Sequence, residues 1–383
     1  MIDPVAAFDE VTDGGRRELR CAELVYDVAE RFPGLVPSRA EIEEERTHPQ
    51  KEKRGLEVAQ GEFFAQVLAD PTTGHHLIHA MGRPRREAQA GLHELEVAGR
   101  VELGTVAVER RENVGWITLQ NFASLNAEDD ASTAALETAV DLVLIDPRIE
   151  VGVLRGAPMT HPKHSGRRIF GSGINLTQLY QGQISLVEFM LERELGCVSK
   201  MLRGLSPERV RDDGLEEGRT EKPFLAAVDA WAIGGACQWL LVMDAVVAER
   251  GSFFNLPARK EGIIPGCANL RLPRFVGERL AQQAIFMNLE FQADSTSGRL
   301  LADRVVGSDR VETEVLELAR ELTAAGPTSL VANRRALRAA HEPLDVFRRY
   351  LATYAIEQAR CLYSPGLIDN LERNWDAKRR SLA

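Results

Sequence analysis

The sequence predicts an α/β protein built on a parallel sheet, with a helical region added before it and further helices after it. Three observations carry this expectation. Between Val106 and Arg155 two strand-patterned runs, a helical run and another strand follow one another, a succession that calls for crossover helices and parallel pairing. Two apolar runs end in glycine clusters, at Gly171–Gly173 and at Gly234–Gly235, and continue as helical patterns. The chain before residue 104 and after residue 310 is patterned for helices. Three units are therefore expected: an N-terminal helical domain (1–103), a core (104–310) and a C-terminal helical region (311–383).

In the first unit, Arg17–Phe32 places Leu19, Ala22, Val25, Val28 and Ala29 at helical intervals and stops at Pro33 and Gly34. Arg39–Arg54 is dense in Glu, Arg and Lys, as in a solvated helix face or a connector. Leu56–Leu68 and Arg85–Val101 read as amphipathic helices, the first followed by a break at residues 70–74, DPTTG. This unit packs on its own core, on the second unit or on a neighbouring subunit. His75, His76 and His79 have a spacing in which two imidazoles share a helix face, but no further ligand type falls nearby, so packing is expected rather than a metal.

From Gly104 the period changes to that of strands. Val106, Val108, Val114, Trp116, Thr118 and Leu119 mark a hairpin turning at residues 111–113. Asn126–Leu144 reads as a helix whose Glu128, Asp129 and Asp130 suit its positive end, and Ile149–Arg155 as the next strand. After the basic loop Pro158–Arg168, Ile169–Leu179 (IFGSGINLTQL) is the first glycine turn. Ser185–Leu205 is a long helix carrying Glu188, Glu192, Arg193 and Glu194, and Arg211–Glu221 is a charged loop. Lys222–Met243 (KPFLAAVDAWAIGGACQWLLVM) is the second strand-to-helix turn. Strands at Ala245–Glu249 and Ser252–Leu256, helices near Glu278–Met287 and Gly298–Leu301, and a C-terminal series broken at Pro327, Pro343 and Pro365 complete the chain.

With 383 residues, 44% of them apolar, the chain can bury a large core. A net charge of −10 argues against a nucleic-acid surface. No apolar run reaches the roughly 18 to 20 residues of a membrane span, and the acidic start MIDPVAAFDE is unlike a signal peptide, so a cytoplasmic protein is expected. Cys21, Cys197, Cys237, Cys267 and Cys361 are scattered, odd in number and without a CxxC pair, as in reduced buried thiols. The GSG at residues 171–173 is not GxGxxG, HExxH is absent, and the histidines do not make a 2-His-1-carboxylate spacing, so no cofactor or metal is expected.

At each glycine turn the missing Cβ lets the backbone bend sharply and present N–H groups to a ligand. Two such N–H groups aimed at one point would form an oxyanion hole able to hold a thioester enolate. Together with the GIIPG turn at Gly262–Gly266, these clusters resemble the crotonase (enoyl-CoA hydratase/isomerase) superfamily over roughly Val106 to Val306. The resemblance implies a crotonase-like ββα superhelix core, C-terminal helices used for trimerisation, and assembly as a homotrimer or hexamer. It assigns the oxyanion donors to Ile174 and Gly235, and a coenzyme A binding turn to Ser124–Ala127. Lys163, His164, Arg167 and Arg168 then read either as contacts to the coenzyme A phosphates or as solvated charge.

Hydratases of this superfamily use two glutamates on water, and the matching positions hold Gln238 and Ala258, neither of which moves a proton. Hydration is therefore not expected. The pocket implied is lined by Ile174, Trp239, Ala258 and Ile263, with Glu128 near the acyl end and Arg193 arriving from the long helix. This combination, with the phrase AIGGACQW and the added N-terminal helices, resembles the superfamily's cofactor-free oxygenases of antibiotic pathways. The implied substrates are 3,5-dihydroxyphenylacetyl-CoA and O2, and the implied products are 3,5-dihydroxyphenylglyoxylate and coenzyme A. Glu128, Arg193 and Gln238 would bind the two ring hydroxyls, while Ile174, Ala258 and Ile263 would form a dry niche for oxygen. Three alternatives stay open: a double-bond isomerase with Glu128 as its proton shuttle, a thioesterase, and a non-catalytic acyl-CoA-binding protein.

Overall fold

The computed structural model describes residues 2–208 and 218–380, among which eleven strands form two sheets. In chain order these are β1 (Arg100–Glu102), β2 (Val106–Arg111), β3 (Val114–Leu119), β4 (Val151–Gly156), β5 (Gly171–Ser172), β6 (Phe224–Val228), β7 (Trp231–Ile233), β8 (Ala245–Glu249), β9 (Phe253–Asn255), β10 (Phe291–Gln292) and β11 (Arg304–Val306). The larger sheet runs β1-β2-β3-β4-β6-β8-β11 and the smaller β10-β9-β7-β5. The β2–β3 hairpin is antiparallel and turns at Glu112, which takes a positive φ of 56°. From β3 to β11 the large sheet is parallel. Its central strands β4 and β6 are buried on both faces, which is why they read as apolar runs, broken only by Arg155, whose charge is met by Asp229.

Two expected elements begin elsewhere. The helix expected from Asn126 starts at Asp130, because Leu125 and Asn126 have positive φ (56° and 58°) and Asp129 caps the helix by accepting from Ser132 N at 2.8 Å. The DPTTG stretch is a helix start rather than a break. Asp70 accepts from Thr73 N at 2.9 Å, and Pro71 suits the first turn of Pro71–Met81. Residues 211–217 of the expected charged loop lie outside the described residues; Glu221, at its end, is buried beneath Arg334, Arg335 and Arg338.

The N-terminal helices share one apolar cluster with much later parts of the chain. Val25, Phe63 and Leu77 belong to it together with Leu186, Met190, Leu351 and Leu367. The helix Arg86–Ala98 packs on the main core through Ala88 and Leu95. On the far side of the large sheet, Val311, Val315 and Ala319 of the helix Val311–Thr323 cover Val151 and Val247. The histidines of the HHLIH segment are packing partners: His76 Nε2 lies 3.1 Å from Arg17 O and His79 Nε2 3.1 Å from Glu18 Oε1.

The long helix expected at Ser185–Leu205 runs from Leu186 to Arg203, and it is π-helical over Leu186–Leu191 and Arg193–Val198. Such wide turns are rare and cluster at functional sites. Ser185 Oγ caps the helix by accepting from Val187 N and Glu188 N. The N-terminal helices then hold it in place. Arg46 Nη1 donates to Glu188 Oε2 at 2.7 Å, Leu186 N donates to Glu57 Oε1 at 2.8 Å, and Ala22 N donates to Glu192 Oε1 at 3.0 Å. One turn away, Arg20 Nη2 donates to Glu137 Oε2 at 2.7 Å.

Candidate active site

The two glycine turns face each other. Gly173 (φ 77°) ends β5 and Gly234 (φ 56°) ends β7, both in backbone regions that side chains avoid. A methyl group built on Gly234 would lie 3.1 Å from Gly173 Cα and 4.0 Å from Ile174 N, so only glycines allow this approach. Glu128 pairs in parallel with Ile174: Glu128 N donates to Gly173 O and Asn175 N donates to Glu128 O, each at 2.7 Å. That pattern leaves the Ile174 N–H unused. The Gly235 N–H opens the helix Gly235–Leu240 and likewise donates to no described main-chain carbonyl.

Behind these donors lies a buried charge cluster centred on Arg193. Its Nε donates to Glu128 Oε2 at 2.6 Å, and its Nη2 donates to Gly235 O at 2.9 Å and, at 3.4 Å, to Glu128 Oε1. Its Nη1 donates to Glu194 Oε1 at 2.5 Å and to Gln238 Oε1 at 2.9 Å. All five guanidinium donors are thus occupied by protein groups. Arg193 thus fixes Glu128 and Gln238, and the ring-hydroxyl contact expected of it from the sequence would take the place of one of these bonds, of which the 3.4 Å contact to Glu128 Oε1 is the weakest. Gln238 Nε2 donates to no described residue, and Glu128 keeps free lone pairs. Burial pushes the Glu128 carboxyl above its usual range, opposed by Arg193. For Arg193 itself burial works against the charge, but Glu128 and Glu194 outweigh it and hold the guanidinium above its ordinary value.

Two cavities meet at this point. A groove of about 870 Å³ runs past Ser124, Leu125 and Ala127, past Trp231, and under Asn374 and Trp375 of the C-terminal helix Pro365–Trp375. The inner cavity, of about 30 Å³, is walled by Glu128, Arg193 and Gln238 on one side and by Ala258, Ile263, Met190 and Tyr354 on another. Ile174 and Glu261 line both. Glu261 is half-buried and its carboxylate makes no hydrogen bond or ion pair with a described residue; burial pushes that carboxyl up to about 7, against the pull of Lys260.

The structure therefore brings Ile174, Gly235, Glu128, Gln238, Arg193, Ala258 and Ile263 to one place. Trp239 is the exception. It follows Gln238 on the same helix and so points about 100° away, into the main core against Phe170 at 6.0 Å between ring centres. The basic loop also differs from expectation. None of Lys163, His164, Arg167 and Arg168 lines the groove, whose cationic side chains are Lys260 and Arg380. Arg167 and His164 instead pack on Trp231, and Arg168 donates to Gly156 O.

Glu194, Glu261, Met190 and Tyr354 were not foreseen as site residues. Glu261 was within reach, since it lies one helical turn beyond Ala258 and so shares its face. Tyr354 comes from a helix far along the chain, and no local pattern announces it.

Similarity to known proteins agrees with this geometry. Residues 206–357 match the family described as enoyl-CoA hydratase/isomerase. The chain is 45% identical over 362 residues to the (3,5-dihydroxyphenyl)acetyl-CoA 1,2-dioxygenase of Amycolatopsis orientalis, covering 94% of this chain and 82% of that one. It is 27% identical over 241 residues to the 2,3-dehydroadipyl-CoA hydratase of Escherichia coli (strain K12), covering 63% of this chain and 84% of that one. Among solved structures, Pseudomonas aeruginosa OdaA aligns with a TM-score of 0.57 at 22% identity, over 70% of this chain and 98% of that one. An enoyl-CoA hydratase from Bacillus halodurans aligns equally well, with a TM-score of 0.57 at 21% identity, over 70% of this chain and 100% of that one. These two alignments speak for the fold alone.

Proposed function

The chain belongs to the enoyl-CoA hydratase/isomerase, or crotonase, family, and from that premise we propose that it is a cofactor-independent dioxygenase of antibiotic biosynthesis acting on 3,5-dihydroxyphenylacetyl-CoA. The observation that carries this is the pairing of two unspent N–H groups, Ile174 and Gly235, with a pocket whose two hydratase positions hold Gln238 and Ala258. Such a pocket can hold an enolate and lacks both glutamates with which the hydratases of the family activate water. The relative from Amycolatopsis orientalis points to the same substrate.

In this scheme the coenzyme A moiety lies in the 870 Å³ groove and the thioester carbonyl at its inner end, under Ile174 N and Gly235 N. An arylacetyl thioester has a CH2 acidified from both sides, and the two donors favour its enolate over the neutral thioester. The electron-rich enolate passes one electron to O2, and recombination gives a peroxide at the α-carbon. That peroxide attacks the thioester carbonyl. Cleavage of the O–O bond with loss of the remaining α-hydrogen then leaves the α-keto acid and coenzyme A. One thioester and one O2 give one arylglyoxylic acid and one free thiol, with no external electrons. Glu128 accepts one ring O–H and Gln238 Nε2 donates to a ring oxygen, while Ala258, Ile263 and Ile174 supply the apolar niche for O2. A homotrimer or hexamer in the cytoplasm is part of the same proposal, and assembly would cover the exposed Phe275, Phe286 and Met287. No described helix is long and apolar enough to cross a membrane.

The test is oxygen uptake by metal-stripped protein given 3,5-dihydroxyphenylacetyl-CoA, with thiol release followed in parallel. Equal consumption of oxygen and release of coenzyme A is the expected result. Thiol release alone would make the protein a thioesterase, and activity that returns only with a stoichiometric metal would overturn the cofactor-free reaction.

A further inference from the structure

The scheme above leaves the first proton without an acceptor. Neither residue at the hydratase positions takes it, since Gln238 is an amide and Ala258 has no polar atom, and Glu128 is bound twice by Arg193. The thioester itself must sit where the groove ends and the inner cavity begins, because the coenzyme A chain needs the groove and the oxyanion donors Ile174 N and Gly235 N stand at its inner end. Two residues line both cavities: Ile174, which supplies an oxyanion donor, and Glu261.

We propose that Glu261 is the base that removes the α-proton of the bound arylacetyl thioester, a step that rests on the dioxygenase function above. Three observations support it. The carboxylate lies at the junction where the α-carbon must pass, on the one-turn helix Ala258–Glu261. It has no hydrogen-bond or ion-pair partner among the described residues, unlike Glu128 and Glu194, which are both committed to Arg193. Its surroundings also keep it basic enough to accept a proton near neutrality, since burial raises the carboxyl to about 7.

The step balances within the protein. The α-C–H bond breaks, its proton passes to a Glu261 carboxylate oxygen, and its electron pair becomes the enolate held by Ile174 N and Gly235 N. After O2 has added and the O–O bond has broken, the departing thiolate is a stronger base than this carboxylate and takes the proton back. Glu261 thus returns to its starting state each turnover.

The experiment separates proton removal from oxygen chemistry. Wild type and Glu261→Gln are incubated anaerobically in D2O with 3,5-dihydroxyphenylacetyl-CoA, and α-hydrogen exchange is followed by mass spectrometry. Oxygen uptake is measured separately in air. We expect the wild type to exchange the α-hydrogens, and Glu261→Gln to lose both exchange and kcat for oxygen uptake by about 100- to 10,000-fold with little change in KM. Glu261→Asp, which keeps the carboxylate on a shorter stem, should retain part of the exchange. Exchange by Glu261→Gln at the wild-type rate would overturn the proposal and leave the dioxygenase function standing. Exchange by the wild type, lost in Glu261→Gln, with no oxygen uptake by either would support the base and refute the dioxygenase.

Discussion

Gly235 is the position at which the oxyanion donor and the charge cluster meet, and replacing it by alanine tests both. An added Cβ would stand 1.7 Å from Glu128 Oε1 and 2.7 Å from Arg193 Nη2. Ordinary non-bonded separation is about 3.5 Å, so the carboxylate oxygen must retreat by roughly 2 Å. Such a retreat breaks the 2.6 Å bond from Arg193 Nε to Glu128, a contact to a charged group worth about 1.5–3 kcal/mol. Any shift of the turn to relieve the clash would instead move the Gly235 N–H, and loss of one oxyanion donor costs about 100- to 1,000-fold in kcat. Gly235→Ala should therefore lower kcat for both oxygen uptake and thiol release by that factor. Overcrowding should also lower the unfolding free energy by about 1–3 kcal/mol in urea titration. An unchanged kcat in a folded Gly235→Ala protein would refute the assignment of this turn to the enolate.

Four further outcomes follow from the same geometry. Arg193→Met leaves Glu128 buried without its cation and Glu194 with only the longer contact to Arg271, and should destabilise the fold by about 3–5 kcal/mol in urea titration, as for other broken buried pairs. Ala258→Leu fills the 30 Å³ cavity, and initial rates against dissolved oxygen should show a raised KM for O2. If Glu261 must be ionised to act, its raised carboxyl makes kcat fall as the pH drops through about 7 and stay level above it, and Glu261→Gln should remove this acid limb. Arg20→Ala takes away the cation between Glu137 and Glu192, and hydrogen exchange over residues 186–198 should quicken while kcat falls.

Much of the fold was legible because its cause is local. The β2–β3 hairpin, the largely apolar β4 and β6 and both glycine turns depend on residues close in the chain, and they stand where the pattern placed them. Asp70 was misread because aspartate followed by proline marks a loop and a helix cap equally well; the bond to Thr73 N decides it. Ile174, Gly235, Glu128, Gln238, Ala258 and Ile263 were carried over from the family resemblance, and the structure brings them together around the glycine turns. Trp239 was placed in the pocket by the same resemblance, but as the helical neighbour of Gln238 it faces another way, into the main core. The saturation of Arg193 was not legible, since its partners come from three separate stretches of chain.

The π-helical run that carries Arg193 has a bearing on how this protein can change over time. A π-turn holds an extra residue relative to an α-turn, so the direction of Arg193 depends on how many residues precede it in Leu186–Val198 as well as on which they are. Deleting one residue before it would close a wide turn towards α-helical geometry and change where the guanidinium projects relative to Glu128 and Gln238. Nearly every side chain in the run is buried, so its length and its packing are constrained together, and loss of one residue here would keep a helix while displacing the site.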